Sequence, residues 1–302
     1  MTRLGISWWR FGLPESSISV YADDKGFQLE QPGARVSSAD LQHAPVVIYR
    51  RRLLQPRPLV VSELPSAEDR EFSEREWTSL IEGLLLAEER DSHATWLNPP
   101  SAALLTNNKL PLLSRAARMG LPVPTFAVST PVRFPPSARG ELVAKAISSN
   151  QQISANRYFS TALLSREDLR DLPGAHLSTP SLLQEYVLAD VELRVFYLLG
   201  AFFSLALTPS RDHIDIGHAP RAKLSPRAYD LTPELGHALA DLANAFALGY
   251  CTFDLVIPAD GPPALLDITP NGDWDHFESD AAPVVTEFLA DTIAAHISDS
   301  LR

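Results

Sequence analysis

The stretch that most constrains this chain runs from Gly249 to Gly272 and reads GYCTFDLVIPADGPPALLDITPNG. At period two, Cys251, Phe253, Leu255 and Ile257 fill one apolar strand face, and Tyr250, Thr252, Asp254 and Val256 share the other. Pro258 to Pro262 is strong turn chemistry. A second strand, Ala264 to Thr269, follows at once. If Ile257 faces Ala264 across this hairpin, Asp254 falls opposite Asp267. Cross-strand partners stand roughly 4.5–5.5 Å apart and like charges there repel, so the pair needs a proton, a cation or a basic side chain. Thr269 shares the Asp267 face and Asn271 lies just past the strand end. Two carboxylates plus amide or hydroxyl oxygen form a hard-cation set, suited to magnesium held with phosphates. A surface hairpin with two exposed acids is the plain alternative.

With 302 residues the chain can build two or three modules with substantial cores. A net charge of -11 argues against a general grip on nucleic acid, although local basic sites remain compatible with it. The single cysteine, Cys251, excludes a disulfide framework or a cysteine-based metal site. It reads as core rather than nucleophile. No segment is apolar enough for a signal peptide or a bilayer span. The expectation is a cytoplasmic protein without nucleic-acid or membrane partners.

Before the hairpin, strands are expected at Leu4–Trp9, Ser17–Tyr21 and Ala44–Tyr49, the last running into the basic Arg50-Arg51-Arg52. Trp77, Leu80, Ile81, Leu84 and Leu85 predict an amphipathic helix over Ser73–Arg90. Asn107 or Asn108 caps a helix that begins at Lys109, carries Pro111 in its first turn, and stops at Gly120. A new module begins at Leu121–Pro124. Lys145 interrupts the apolar run Glu141–Ile147, which is costly unless it snorkels or meets an anion. Ser148–Gln152 is polar but lacks the glycines of a phosphate-binding loop. Leu182–Val187 is a strand, and Glu192–Leu199 with Phe202–Leu207 is a hairpin turning at Gly200. Arg211–Asp230 reads as a long loop. Thr232-Pro233-Glu234 opens a helix, and Pro283–Ile297 is the last one.

Three signals converge. Lys109, Lys145 and Arg194 are cations that could neutralise phosphates. Asp254, Asp267 and neighbouring oxygens could hold magnesium. Gln184–Val187 is an extended segment whose backbone could meet an adenine edge. Cations and metal ligands without a protein nucleophile suggest phosphoryl transfer by positioning and charge stabilisation.

In this order the residues resemble ATP-grasp ligases over roughly 90–300, and most of all the microviridin-type peptide macrocyclases (graspetide synthetases). The likeness is carried by Asn108-Lys109 with LPLLSRAARMGLPVP, the AKAI lysine Lys145, Leu183–Val187, Asp190–Val195 and the 249–272 hairpin with Pro270–Trp274. Tyr49–Arg52 and Trp96–Pro99 also look like the peptide-modifying branch. The resemblance implies an α/β ATP-grasp fold of three modules, 1–121, 122–187 and 188–302, with nucleotide between the central and C-terminal ones. It implies ATP and Mg2+ as cofactors. A carboxylate would be activated as an acyl phosphate and captured by a hydroxyl or amine. Lys109 and Lys145 would bind phosphates, Gln184, Glu185, Tyr186 and Val187 would frame the adenine, and Glu192 would hold ribose. Arg194 would stabilise the transferring phosphate, and Asp254, Asp267 and Asn271 would hold magnesium.

Two departures stand out. The usual Glu-x-Asn at the hairpin end is Asp267-Ile268-Thr269 here. The arginine usual in the 211–223 loop is missing after Asp215, so Arg221 or Lys223 would stand in as the second catalytic cation. The expected partner is a precursor peptide with a leader and an acidic core; a homodimer is one possible assembly. A small-molecule or amino-acid ligase and a non-catalytic nucleotide-binding scaffold remain as alternatives.

Overall fold

The computed structural model describes residues 19–49, 66–131, 137–138, 140–148, 152–154, 157–158, 161–165, 167, 176–209, 226–278 and 284–300. The expectations for Leu4–Trp9, Arg50–Arg52, Arg221 and Lys223 lie outside these. The chain divides into two compact units, the first reaching Leu104 and adding Ala247–Gly249 and the chain from Glu287, the second comprising Leu105–Phe246 and Tyr250–Thr286.

In the first unit, β1 (Ser19–Asp23), β2 (Gly26–Gln31) and β3 (Ala34–Ser37) form an antiparallel meander, followed by α1 (Ser38–His43). β4 (Val46–Ile48) pairs in parallel with β5 (Thr95–Leu97). Between them α2 spans Ala67–Asp91, capped by Ser66, whose side chain accepts from the Asp69 amide. The helix begins six residues before the expected Ser73, because the cap and acidic first turn precede the apolar stripe. Phe27, Leu29, Val36, Leu41, Ile81, Leu85 and Trp96 form the buried core. α3 (Pro100–Leu105) closes this part of the chain.

The second unit opens with α4 (Lys109–Arg118). Asn108 is its N-cap, and its side chain accepts from the Leu110 amide at 2.9 Å. Leu112, Leu113 and Ala116 of this helix are fully buried. One sheet has the order β10 (Ala162–Leu164), β7 (Leu142–Lys145), β11 (His176–Glu185), β6 (Phe126–Pro131). A short hairpin, β8 (Gln152–Ser154) and β9 (Arg157–Tyr158), lies apart from it. The other large sheet has five strands. Its order is β14 (Arg227–Ala228), β13 (Ala201–Leu207), β12 (Val191–Leu198), β15 (Tyr250–Ile257), β16 (Ala264–Thr269), all paired antiparallel. α5 (Pro233–Asn244) enters through the Thr232 cap and Pro233 in its first turn. A 3-10 turn (Asp275–Phe277) precedes α6 (Val284–Ser300).

The central strands of the five-stranded sheet carry the heaviest burial. Leu193, Val195, Phe196, Leu198, Cys251, Phe253 and Leu255 are all at most 2% exposed. A sheet buried this deeply makes rigid mounts of the few polar side chains it carries.

Candidate active site

Strand register assembles the site. Arg194 pairs with Asp254 across β12 and β15, and Asp254 pairs with Asp267 across β15 and β16. The expected facing of the two aspartates is present, but by another route. Val256, not Ile257, stands opposite Ala264, and a bulge between Asp254 and Leu255 resets the register. Leu266 is the extra residue on β16: Leu265 pairs with Leu255 and Asp267 with Asp254.

Each carboxylate has its own cation. Arg194 Nη1 donates to both Asp254 oxygens, at 2.6 and 2.7 Å. Lys109 donates to Asp267 Oδ2, and the Ile268 amide donates to Oδ1 at 2.8 Å. Lys109 is 3% exposed and is the first residue of α4, where the helix dipole disfavours a cation. Asp267 offsets both the burial and the dipole. The result is a row of Arg194, Asp254, Asp267 and Lys109, positive at both ends and negative in the middle.

Burial opposes the Arg194 charge, yet the charge of Asp254 and its hydrogen bonds, with further help from Tyr250 and Asp267, hold the guanidinium above its ordinary pKa. The same guanidinium lies 5.2 Å from the Phe277 ring centre and 5.9 Å from that of Phe196. Its Nε is buried without a hydrogen-bond partner among the described residues, which is costly for a charged donor.

The remaining predicted residues lie in the same unit. Lys145, at the end of β7, donates to Gln184 Oε1 at 2.9 Å. The chain just beyond β7 reaches the start of α4: the Lys109 amide donates to Ile147 O at 2.9 Å, and Asn108 bridges Ser148. Glu185 and Tyr186 donate their backbone amides to Thr125 O and Glu141 O, at 2.8 and 2.9 Å. Those two N–H groups are therefore already used within the protein, which narrows how this segment can meet a base edge. Val187 lies in the irregular stretch after β11 that leads to β12. Glu192 stands opposite Val256 on β12, on the Arg194 face. Asn271 sits in the turn after β16, closed by the Gly272 amide donating to Thr269 O at 3.2 Å.

Two features of that turn were not singled out from the sequence. Tyr250 Oη donates to Gly272 O at 2.6 Å. A Cβ at Gly272 would collide with Thr252 Oγ1, and would lie 2.6 Å from its Cγ2 and 2.9 Å from its Cβ. Only glycine lets the turn carrying Asn271 lie this close to β15. Trp274 stacks edge-on against Tyr250 at 6.1 Å and donates its indole N–H to Thr286 Oγ1. The sequence signal available was the Asn-Gly pair directly after a strand.

The donor set fits magnesium and a polyphosphate. Lys109, Lys145 and Arg194 set three cations beside Asp254 and Asp267, and Arg194 Nε has no hydrogen-bond partner among the described residues. Among the described residues no three or more His, Cys, Asp or Glu side chains cluster as a metal site, so a bound metal would take the two aspartates and neutral oxygens such as Asn271.

No family model matches this sequence, and no curated protein does. Solved structures do, over most of the chain, and they define the class: this is an ATP-grasp fold. Macrocyclase MdnC of Microcystis aeruginosa, bound with precursor peptide MdnA, is similar with a TM-score of 0.69 and 23% identity over 92% of this chain and 87% of that one. A RiPP-associated ATP-grasp ligase of Chryseobacterium gregarium, in complex with ADP and a leader and core peptide, has a TM-score of 0.68 and 18% identity, covering 92% of this chain and 85% of that one. ATP-grasp ligase PsnB, complexed with minimal precursor, Mg and ADP, has a TM-score of 0.65 and 20% identity, covering 93% and 85%.

Proposed function

We propose that this protein is an ATP-dependent, ADP-forming ligase that modifies a ribosomally made precursor peptide. The observation that carries the reading is the row Arg194–Asp254–Asp267–Lys109, built across three strands and a helix start in an ATP-grasp fold. The occurrence of precursor peptides and ADP in similar structures favours a peptide over a free amino acid as substrate.

In this reading Lys109 and Lys145 hold phosphates, and Glu185, Tyr186 and Val187 line the base, with Glu192 at the ribose. Asp254, Asp267 and Asn271 hold magnesium, which when bound supplies positive charge beside the phosphates. An Asp or Glu side chain of the peptide attacks the terminal phosphate of ATP and leaves as an acyl phosphate, releasing ADP. A Ser or Thr hydroxyl or a Lys amine of the same peptide then attacks the acyl carbon and expels phosphate. An ester or amide ring results, with net loss of one water. Arg194 stabilises negative charge on the transferring phosphate and on the acyl phosphate. Arg221 and Lys223 are the proposed source of a second catalytic cation. The three-module division at 121/122 and 187/188 belongs to the same proposal.

The test is ADP release with ATP and magnesium, with and without a candidate acidic precursor peptide, followed by the mass of that peptide. Peptide-dependent ADP with loss of one water per ring supports the reading. Nucleotide binding without turnover on any peptide or amino acid overturns it in favour of a scaffold.

A further inference from the structure

We infer that Gln184 is not a base-framing residue but a positioning residue that sets Lys145 and the Asp267 bulge together. The inference rests on the nucleotide-binding reading above and revises the base-framing part that the family resemblance implies for Gln184.

Gln184 is 1% exposed, on β11 between Val143 of β7 and Phe126 of β6. A buried primary amide needs both an acceptor and donors satisfied. Its Oε1 accepts from Lys145 Nζ at 2.9 Å, and its Nε2 donates to Leu266 O through a long contact of 3.4 Å. These partners fix the orientation of the amide. Turned over, it would set NH2 against an ammonium and oxygen against a carbonyl.

The second partner gives the residue its meaning. Leu266 is the extra residue of the β16 bulge, left out of the ladder with β15. A backbone carbonyl outside the ladder must find a donor elsewhere. The donor it finds is Gln184, on a different sheet. Without this bulge, the pairing of Val256 with Ala264 would put Leu266 opposite Asp254 and turn Asp267 to the other face. One side chain therefore aims the phosphate-binding lysine and holds the irregularity that sets Asp267 across from Asp254. Glutamine alone suits both partners. Glutamate keeps the lysine contact but opposes the carbonyl, and leucine loses both at similar volume.

The experiment measures nucleotide binding by calorimetry, without peptide, in the full chain and in Gln184→Leu and Gln184→Glu. Two quantities are read: the magnesium concentration at half-saturation of ATP-analogue binding, and the preference for ATP over ITP at saturating magnesium. The expected result is a magnesium midpoint raised about tenfold in both variants, the scale of one lost hydrogen bond to a site group, with the ATP:ITP preference unchanged. Gln184→Leu should also weaken nucleotide binding at saturating magnesium, whereas Gln184→Glu should not. A collapsed ATP:ITP preference with an unmoved magnesium midpoint would restore Gln184 to the base and overturn the inference, as would two unmoved readouts. If Gln184→Leu does not fold, Gln184→Glu carries the same test. Failure of the unsubstituted protein to bind any nucleotide would instead sink the functional reading.

Discussion

The two hairpins of the five-stranded sheet differ in a way that separates scaffold from site. The β12–β13 hairpin keeps one continuous register over seven pairs and turns through Leu199 and Gly200, whose φ values of 49° and 91° are the left-handed pair a two-residue turn requires. The β15–β16 hairpin has a proline-rich loop, a bulge and two aspartates side by side. In the second, three side chains from outside the hairpin, Arg194, Lys109 and Gln184, bond to its irregular part. A regular ladder satisfies itself. An irregular one must borrow partners, and the borrowed partners here are two cations and an amide of the site.

The sharpest break in that comparison is Asp267→Asn. It preserves shape and removes one of the two facing charges. Under the proposed function, peptide-dependent ADP release should fall on the order of a hundredfold or more, because the metal loses a carboxylate and several kcal/mol of charge stabilisation. Ser204→Ala, on the regular hairpin, should leave the rate within about twofold. Equal losses in the two variants would erase the distinction between the hairpins.

Arg194→Met should show most strongly in stability. It removes the cation that pairs with Asp254, and breaking such a pair costs about 3–5 kcal/mol. The lower end applies here, since the Asp254 side chain is 29% exposed. Urea unfolding should show a midpoint shift at unchanged slope. The double change Arg194→Met with Asp254→Leu should recover much of the loss. Absence of recovery would mean that the aromatic contacts of Arg194, not its ion pair, hold the strand.

Glycine substitutions compare the hairpins directly. At Gly200 an added Cβ meets nothing within 4 Å, so Gly200→Ala suffers only its positive φ, about 1–2 kcal/mol. At Gly272 the added Cβ meets Thr252, and the cost is overpacking of about 1–3 kcal/mol. The second also displaces the turn bearing Asn271. Gly272→Ala is expected to weaken magnesium-dependent nucleotide binding, and Gly200→Ala is not. Calorimetric titration of both decides it, and Thr252→Ala should partly rescue only the Gly272 variant.

What the sequence made legible follows the same division. Thr232 was readable as a cap, and the Asn107-Asn108 pair as the place of another, which Asn108 fills, because capping depends on a few adjacent residues. The facing of Asp254 and Asp267 was readable from alternation, even though its anchor, Ile257 opposite Ala264, was one residue off. The bulge absorbed that error, and nothing local in ALLDIT announces a bulge. The part played by Gln184 was hidden for a deeper reason. Its partners lie at Lys145 and Leu266, far apart in the chain, and only the packing of two sheets brings them together. In the first unit, β2 carries a period-two pattern in Phe27 and Leu29 between glycine turns, but the strand is short enough for polar neighbours to mask it.

The smallest effect tests how dry the shared wall of the two hairpins is. Cys251 is fully buried on β15 opposite Tyr197 of β12, and burial pushes its thiol well above the ordinary range. Burial, then the neighbouring Cys251, also raises Tyr197. In the unfolded chain a thiol ionises near about 8.5. Between that pH and the raised folded value, the unfolded state binds fewer protons than the native one, so stability must fall as pH rises. Below about pH 8 the group contributes no slope; above it, the slope approaches about 1.4 kcal/mol per unit. Unfolding at pH 7.5 and 9.5 should show the drop in the wild type and a flatter profile in Cys251→Ala. A native thiol that reacts readily with an aromatic disulfide at pH 8 would show that solvent reaches the strand, and would put the rigidity of the Arg194–Asp254 mount in question with it.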